Sequence, residues 1–262
     1  MLSHPSSSHW LKRDAAAGNL TDPRQSRLSL EAVRGKDLMD LAIQERREVA
    51  SELLQEQVID QRGRLHRWRE LTHQPAQIDT GYVAQHLVSI VSGIPGGGMR
   101  GKGEDLRDGS EVKSANFLDS LDARGAIAPR WNFMANDITT MEGLLEVPAI
   151  YLVSMDLNPA DRIRARVWRL DPSQHHVFRS RYIEWMEKLG RPKLADPRRP
   201  YANFQLFPPR LRTADNFARH GNDHPGGFSR LRIELEVPPA SKRLFLAEAD
   251  EAGKISVKHI EP

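Results

Sequence analysis

Three absences narrow what this chain of 262 residues can be. It has no cysteine, which excludes disulfides, zinc–thiolate sites and thiol catalysis. It has no apolar run of the length that crosses a bilayer, and its first 19 residues lack the apolar core of a signal peptide. With 39% hydrophobic and 28% charged residues, the composition is typical of a globular protein. We therefore expect a cytoplasmic protein without a membrane partner.

The net charge is only +3, but the charges are unevenly distributed. Residues 73–160 carry 6 basic and 11 acidic side chains, a balance of −5, whereas residues 161–220 carry 14 and 6, a balance of +8. Twelve of those 14 basic residues are arginine, which makes bidentate contacts with phosphate and guanine. An acidic segment suited to a cation thus precedes a basic segment suited to nucleic acid. A solvated basic surface is the alternative.

The stretch 102–113 combines acidic residues, a turn signal and a lysine. An Asp-Gly pair at 108–109 is typical of a two-residue hairpin turn, and folding the stretch about this turn brings Asp105 near Glu111 and Lys113. Because strand side chains alternate, Glu111 and Lys113 share a face. Two carboxylates can hold Mg²⁺, and an ammonium can stabilise charge during phosphodiester hydrolysis. A solvated hairpin with cross-strand ion pairs is the alternative.

The spacing Asp-x5-Glu-x-Lys on a tight hairpin resembles the active site of the PD-(D/E)XK nuclease superfamily. The runs 103–116, 129–132 and 203–210 are similar to type II restriction endonucleases of the MamI kind. The resemblance implies an Mg²⁺-dependent, sequence-specific endonuclease that acts on double-stranded DNA and leaves a 5′-phosphate and a 3′-hydroxyl. It also implies the site residues: Asp105 and Glu111 as Mg²⁺ ligands, the Val112 carbonyl as a further ligand, and Lys113 to orient or deprotonate water.

The identity of the first acid stays open at this point. The superfamily usually has proline before that acid, where this chain has Glu104. Asp105, Asp108 and Glu104 are all candidates, and Asp105 is favoured because Asp108 is needed at the turn and would point away from Glu111. Many superfamily members add a glutamate from the preceding helix, but the helix here offers Gln85 and no acid.

Three other patches are expected to contact DNA. The run Arg-Trp-Asn at 130–132 can stack on bases or bind phosphate, although its tryptophan could equally be a core anchor. A strand at 162–169 alternates arginine with smaller or apolar residues, which predicts a row of guanidiniums on one face. A strand at 201–207 exposes two carboxamides, the group that pairs with adenine, although ordinary strand polarity would look the same. The predicted DNA contacts are Arg130, Trp131, Asn132, Arg164, Arg166, Asn203, Gln205, Arg210 and Arg212.

Hydrophobic periodicity predicts the fold class. A helix is expected over 80–92, stopped by the glycines that follow, and residues 117–146 are expected to be irregular. The order helix, strand, strand, strand, helix, strand from 80 to 207 predicts an α/β fold, a PD-(D/E)XK-like mixed sheet flanked by helices. The predicted parts are a disordered leader (1–28), a helical extension serving as scaffold or dimer contact (29–75), a nuclease core (76–220), and a C-terminal addition with its own small antiparallel sheet (221–262).

The resemblance also implies partners. Enzymes that read palindromes usually act as symmetric dimers, so a homodimer is expected, with a cognate DNA methyltransferase in the same system. Two other functions are compatible with the sequence. One is a repair or resolvase nuclease of the same fold that reads DNA structure. The other is a non-catalytic DNA-binding protein, whose usual helix-turn-helix with a basic recognition helix is not evident here.

Overall fold

The computed structural model describes residues 30–98, 105–122, 128–198 and 201–262. Within these ranges the main helices are α1 (Ile43–Leu54), α2 (Gln61–Thr72), α3 (Thr80–Ser92), α4 (Leu118–Asp122), α5 (Ile138–Gly143), α6 (His176–Trp185) and α7 (Arg191–Leu194). The strands are β1 (Glu111–Asn116), β2 (Trp131–Ala135), β3 (Ile150–Leu157), β4 (Ile163–Leu170), β5 (Ala202–Leu206), β6 (Phe217–His220), β7 (Leu231–Glu234), β8 (Ser241–Ala249) and β9 (Ile255–Ile260). A π-helical segment, Gln55–Asp60, joins α1 to α2.

A mixed sheet of five strands forms the centre of the fold, in the order β1-β3-β4-β8-β9. Strand β1 runs parallel to β3, and the remaining neighbours are antiparallel. The sheet has helices against its faces, so the predicted α/β class is confirmed. Two separate antiparallel pairs, β2–β5 and β6–β7, complete the described part of the fold.

The strands near the C-terminus are arranged differently from the expectation. A small sheet of their own was predicted, but β8 pairs with β4 and places β9 at the edge of the central sheet. Strand β7 pairs instead with β6. The region expected to be irregular contains β2, which pairs with β5. The β4–β8 and β2–β5 pairings join segments that are distant in sequence, so local patterns do not specify the partner.

Helix α3 matches the predicted bounds because both of its ends have strong local signals. Asp79 caps the first turn by accepting a hydrogen bond from the Gly81 N–H. Gly93 ends the helix with a φ of 77°, a left-handed conformation that glycine adopts without strain. Between these ends, Val83, Leu87 and other apolar side chains are buried. The helix is thereby fixed against β1.

The sheet separates two hydrophobic cores. The helix-side core lies between the sheet and helices α1 and α3, and it includes Leu54, Leu87 and Val153. The ribbon-side core lies on the other face, under α6 and the β2–β5 pair, and it includes Trp168 and Phe204. Alternating residues of β3 enter the two cores, so every side chain of that strand is buried.

The helical extension packs against the far edge of the same sheet. Arg47 of α1 donates a hydrogen bond to the Val257 carbonyl at 2.6 Å, and the Ser51 hydroxyl donates to the Ile255 carbonyl at 3.1 Å. These contacts support the scaffold interpretation of the extension. Within the described ranges, no helix is long and apolar enough to span a membrane.

A buried histidine should make the stability of the fold depend on pH. His220 of β6 is only 6% exposed and stacks on Phe204 with ring centroids 4.5 Å apart. Burial, together with the nearby charge of Arg181, lowers the pKa of His220 to about 4, against the opposing effect of Glu184. In the unfolded chain the His220 imidazole takes up a proton near pH 6.5, whereas in the folded state it does so only near pH 4. The free energy of unfolding therefore decreases as pH falls below 6.5.

We expect this residue to contribute about 2 kcal/mol to the loss of unfolding free energy between pH 7 and pH 5. The His220→Phe variant keeps an aromatic ring against Phe204 but cannot take up the proton. Denaturant unfolding of both proteins at the two pH values measures the difference between the two losses, in which any constant cost of the substitution cancels. Equal losses in the two proteins would contradict the assignment.

Candidate active site

The open edge of the central sheet holds two of the candidate catalytic residues. In the parallel register, Glu111 and Lys113 of β1 lie beside Ile150 and Leu152, both in the ribbon-side core. Val112 between them is buried in the helix-side core. The predicted alternation is therefore confirmed, and Glu111 and Lys113 face the β2–β5 side of the sheet. The Lys113 Nζ lies 2.6 Å from Glu111 Oε2, and both side chains are about a quarter exposed.

Asp105 joins this pair from the turn before β1. One oxygen of its carboxylate accepts a hydrogen bond from the Val112 N–H at 2.8 Å, and the other accepts from Gln85 Nε2 at 2.6 Å. Burial raises the pKa of Asp105, and the negative charge of the neighbouring Glu111 raises it further, while Lys113 and the Val112 N–H oppose the shift. The structure thus brings Asp105, Glu111 and Lys113 together.

The turn explains why Asp108 is not the partner of Glu111. Its carboxylate accepts hydrogen bonds from the Ser110 N–H at 3.0 Å and the Ser110 hydroxyl at 2.9 Å. Gly109 follows with a φ of 88°, which holds the tight turn. Asp108 is therefore engaged at the turn, as predicted, and Glu104 lies outside the described residues.

The hairpin itself differs from the expected pair of strands. The Leu106 N–H donates to the Ser110 carbonyl at 3.2 Å, which closes the turn. The chain before the turn then pairs with the segment after α3, where the Gly97 N–H donates to the Asp105 carbonyl at 3.0 Å. Asp105 is consequently held from three sides: by α3, by the post-helix segment and by β1.

Gln85 is the site residue whose role sequence reasoning missed. It occupies the helix from which an additional acid was sought, and its amide donates to Asp105 instead. The helical periodicity places Gln85 on α3 but gives no information on the turn that α3 faces. A neutral amide donor there orients the Asp105 carboxylate without adding negative charge.

The donor set fits a hard divalent cation. Asp105 and Glu111 provide two adjacent carboxylates, and the pKa of Asp105 is raised mainly by burial and further by the negative charge of Glu111. Such oxygens are the ligands that Mg²⁺ takes in proteins, usually one or two carboxylates with water and phosphate completing the shell. Throughout the described ranges, no cluster of three or more acidic or histidine side chains forms a complete metal cage.

A cleft of about 560 Å³ continues along β1 beyond Lys113. Its walls include the start of α3 at Thr80, the end of β1 at Ser114 and Asn116, and the guanidinium-bearing Arg130. The Ser114 hydroxyl contacts the Thr80 hydroxyl at 3.4 Å across this cleft. The end of β1 and Arg130 therefore line one groove, whose lining does not include Asp105, Glu111 or Lys113.

The exposed face of the β2–β5 pair carries most of the predicted base-contacting side chains. Asn132 Oδ1 accepts hydrogen bonds from Asn203 Nδ2 at 3.0 Å and Gln205 Nε2 at 2.8 Å. Gln205 Oε1 in turn accepts from Arg130 at 2.6 Å, and the Arg130 guanidinium lies over the Phe207 ring at 5.3 Å. Asn203 and Gln205 share one face of β5, as the alternation predicted, but both are only partly exposed and the Asn203 Oδ1 is buried.

Trp131 is a core anchor. It is fully buried, and its indole N–H donates to the Val153 carbonyl of β3 at 2.8 Å. Its ring packs edge-on against Trp168, with centroids 6.2 Å apart. Of the two interpretations left open for Trp131, DNA contact and core anchor, the structure supports the core anchor. Its contact with β3 fixes the β2–β5 pair to the central sheet.

The predicted row of exposed guanidiniums on β4 is corrected by the structure. Arg164 and Arg166 are 5% and 1% exposed. Both donate to the buried Asp156 carboxylate, at 2.9 Å and 2.6 Å. They also donate to the carbonyls of Thr213 and Asp215, which clamps the segment after β5 against the sheet. The alternation was correct, but this face is covered by that segment.

The segment after β5, which covers that face of β4, carries two of the remaining predicted DNA contacts. Arg210 and Arg212 are both exposed. Arg212 forms an ion pair with Asp161 at the turn between β3 and β4. Arg210 lies near Arg219, whose pKa is lowered by burial and further by the charge of Arg210.

The raised pKa of Asp105 leads to a prediction about metal-free protein. Because the folded state disfavours the ionised carboxylate, Asp105 lowers the stability of the fold at pH 7, and this penalty disappears as pH falls below the pKa of the unfolded chain. Asp105→Asn removes the charge and keeps both contacts if the Gln85 amide rotates. We expect the variant to have a higher melting temperature than wild type in EDTA.

A divalent cation should reverse that order. Mg²⁺ bound by the carboxylates stabilises wild type by mass action, and the Asp105→Asn variant should lose most of the Mg²⁺-dependent rise in melting temperature. Asp108→Asn is the matched control, since asparagine can keep the turn contact and should retain the Mg²⁺ response. An undiminished response in Asp105→Asn would exclude Asp105 as the first acid.

Comparison with known proteins places this site in a family. Residues 67–247 match the family model for the MamI restriction endonuclease, and that segment includes Gln85, Asp105, Glu111 and Lys113 as well as the β2–β5 pair. The chain is 37% identical over 178 residues to the type II restriction enzyme MamI of Microbacterium ammoniaphilum, covering 60% of this chain and 53% of that relative. It thus spans about half the length of that curated relative.

No solved structure matches the chain significantly. The family match covers most of the chain, and the protein belongs to the MamI restriction endonuclease family.

Proposed function

We propose that this protein is a type II restriction endonuclease, an Mg²⁺-dependent enzyme that hydrolyses double-stranded DNA at specific sequences. The observation that carries the proposal is the convergence of Asp105, Glu111 and Lys113 at the open edge of β1. These residues lie within the segment shared with the MamI family. Two carboxylates and one ammonium at a solvent-accessible edge suit a scissile phosphate better than they suit a structural ion pair.

Each residue of the site has a distinct role in this proposal. Asp105 and Glu111 would hold Mg²⁺, which supplies polarisation of the phosphate and a lowered pKa of a bound water. The Val112 carbonyl is a further candidate ligand, because the backbone groups of Val112 face away from β3 while the Glu111 N–H bonds to the Ala149 carbonyl. Gln85 orients Asp105.

Lys113 would act on the reacting groups. Its ammonium, now paired with Glu111, would position the attacking water or stabilise the negative charge that develops on the phosphate. Cleavage would leave a 5′-phosphate and a 3′-hydroxyl. The predicted DNA contacts whose side chains are at least partly exposed are Arg130, Asn132, Asn203, Gln205, Arg210 and Arg212.

The partners follow from the proposed activity. A palindromic site presents two identical halves, so a symmetric homodimer would place one active edge on each strand. A cognate DNA methyltransferase would protect host DNA, and both proteins would act in the cytoplasm. Light scattering with and without DNA tests the dimer, and a monomer under both conditions would contradict it.

Digestion of phage DNA with Mg²⁺ or with EDTA tests the activity. Discrete bands that appear only with Mg²⁺ would establish the proposed function. A Mg²⁺-dependent smear would instead support the repair-type nuclease that reads DNA structure. Retardation of DNA in a gel without any cleavage would favour a non-catalytic DNA-binding protein.

A further inference from the structure

The β2–β5 pair has the form of a groove-reading element. It is a two-stranded antiparallel ribbon with one face in the ribbon-side core and the other face turned outward. A two-stranded ribbon of this kind fits the major groove of B-DNA. The chemistry of the outward face therefore decides which base the ribbon could read there.

The ribbon is held beside the candidate active site. The indole N–H of Trp131 bonds to β3, the neighbour of β1 in the sheet. Glu111 and Lys113 face the same side of the sheet as the ribbon. Arg130, one residue before β2, lines the cleft together with the end of β1. DNA with its scissile phosphate at β1 would therefore come within reach of the ribbon.

The carboxamides of the outward face offer no free oxygen to a base. Asn132 Oδ1 already accepts hydrogen bonds from Asn203 and Gln205. Gln205 Oε1 accepts from Arg130, and Asn203 Oδ1 is buried. Each of these three oxygens is thus bonded or buried. Reading the amino group of adenine or cytosine in the major groove requires a free acceptor, so these oxygens are poorly placed for it.

The same face presents apolar surface beside the carboxamides. Met134 is 60% exposed and Tyr201 is 52% exposed. Met134 lies opposite Asn203 in the register, and Tyr201 precedes Asn203 by two residues. Tyr201 is therefore the diagonal neighbour of Met134 on the same face, within reach of a long side chain. One exposed apolar side chain is ordinary on a protein surface, but here two are adjacent on the face that the proposed function directs to DNA.

Thymine is the base whose edge is complementary to this apolar surface. Its 5-methyl group is the apolar group among the base edges of the major groove, whose other groups are hydrogen-bond donors and acceptors. Methionine is unbranched and has a polarisable thioether, so its side chain adapts to the shape of a neighbouring group. Contact between the two removes apolar surface from water, which favours binding.

From this arrangement we infer that Met134, with Tyr201 beside it, contacts the 5-methyl group of a thymine in the recognition sequence. The inference rests on the proposed function for the presence of DNA at this face. Asn203 and Gln205, which were expected from the sequence to pair with adenine, would instead hold the two strands of the ribbon together through Asn132. Their bonds would fix the strand that carries Met134.

Selection of bound duplexes from a random pool tests the inference without relying on cleavage. The Lys113→Ala protein is used with Mg²⁺, so that bound DNA is retained, alone and combined with Met134→Ala. The matched control is Met39→Ala, which removes a methionine that is 65% exposed in the helical extension. We expect the parent and the control to enrich sequences with an invariant T·A pair, and Met134→Ala to enrich them less.

Replacing the invariant thymine by deoxyuridine removes its methyl group and no hydrogen-bonding group. The affinity of the parent and of the control should fall about fourfold or more, the effect of returning one apolar carbon to water. The Met134→Ala protein should bind the two duplexes equally. Met134→Leu, which restores an apolar side chain of similar volume, should recover most of the preference for thymine.

Three results would overturn the inference. The first is equal binding of the thymine and deoxyuridine duplexes by the parent. The second is a preference for thymine that Met134→Ala retains in full. The third is loss of the dimer in Met134→Ala, measured by light scattering, since it would assign this face to subunit contact. Because Met134 is exposed, the substitution should leave the fold intact, and the melting temperature checks this.

The outcomes separate this inference from the proposed function. A wild-type protein that cuts DNA to a smear and enriches no sequence would overturn thymine reading and leave nuclease activity established. A preference for thymine over deoxyuridine that Met134→Ala loses, without any Mg²⁺-dependent cleavage by wild type, would support thymine reading and overturn the nuclease.

Discussion

Replacing Lys113 by alanine is expected to lower the rate of DNA cleavage by about 100-fold or more, the loss typical when one preorganised charge-stabilising donor is removed. The ammonium is one of two charged groups on β1 that face the reacting side, and the Glu111 carboxylate cannot replace its positive charge. Single-turnover cleavage of a plasmid with saturating enzyme measures the effect on the chemical step, separately from DNA binding.

The fold should tolerate this substitution, because Lys113 is partly exposed and leaves no buried group without a partner. Its melting temperature should therefore stay close to that of wild type. Lys188→Ala removes a lysine that pairs with Glu184 on the surface at 2.7 Å and serves as the matched control for cleavage. A Lys113→Ala protein that cuts as fast as this control would remove Lys113 from the site.

Removal of the Asp156 carboxylate is expected to destabilise the protein by about 3–5 kcal/mol. Asp156 is fully buried and is bound by both Arg164 and Arg166. Its loss would leave two guanidiniums in the interior without a counter-charge. Burial already lowers the pKa of Arg166 to about 10, although the charge of Asp156 opposes this shift. Denaturant unfolding of Asp156→Ala measures the cost.

Glu251→Ala provides the comparison with an exposed pair. Glu251 accepts from Arg162 at 2.7 Å, but its side chain is 87% exposed, and surface pairs of this kind contribute about 1 kcal/mol or less. A loss of unfolding free energy in Asp156→Ala as small as that in Glu251→Ala would contradict this expectation. It would mean that water replaces the Asp156 carboxylate and that other contacts hold the segment after β5.

The sequence specified those parts of the fold whose signals are local. Helix α3 has a capping aspartate, a buried apolar stripe and a terminating glycine within one short run, so its bounds could be predicted. The turn at 108–109 and the alternation that places Glu111 and Lys113 on one face are also local features. The catalytic set could therefore be proposed before any tertiary contact was known.

The rest depended on partners distant along the chain. The alternation of β4 indicated that Arg164 and Arg166 share a face, but the buried Asp156 and the carbonyls beyond β5 decide that this face is covered. Strand β2 has only five residues, and its partner β5 lies some 70 residues later. Gln85 reaches Asp105 only because α3 packs beside β1.

The outer face of the β2–β5 ribbon contributes none of its side chains to either hydrophobic core in the described structure. Exposed positions of this kind usually change stability by no more than about 0.5 kcal/mol when substituted. Such a face can therefore accumulate substitutions during evolution while the anchoring residues beneath it and the catalytic strand stay the same. Under the proposed function, gene copies would in this way acquire new target sequences without first having to acquire a new fold.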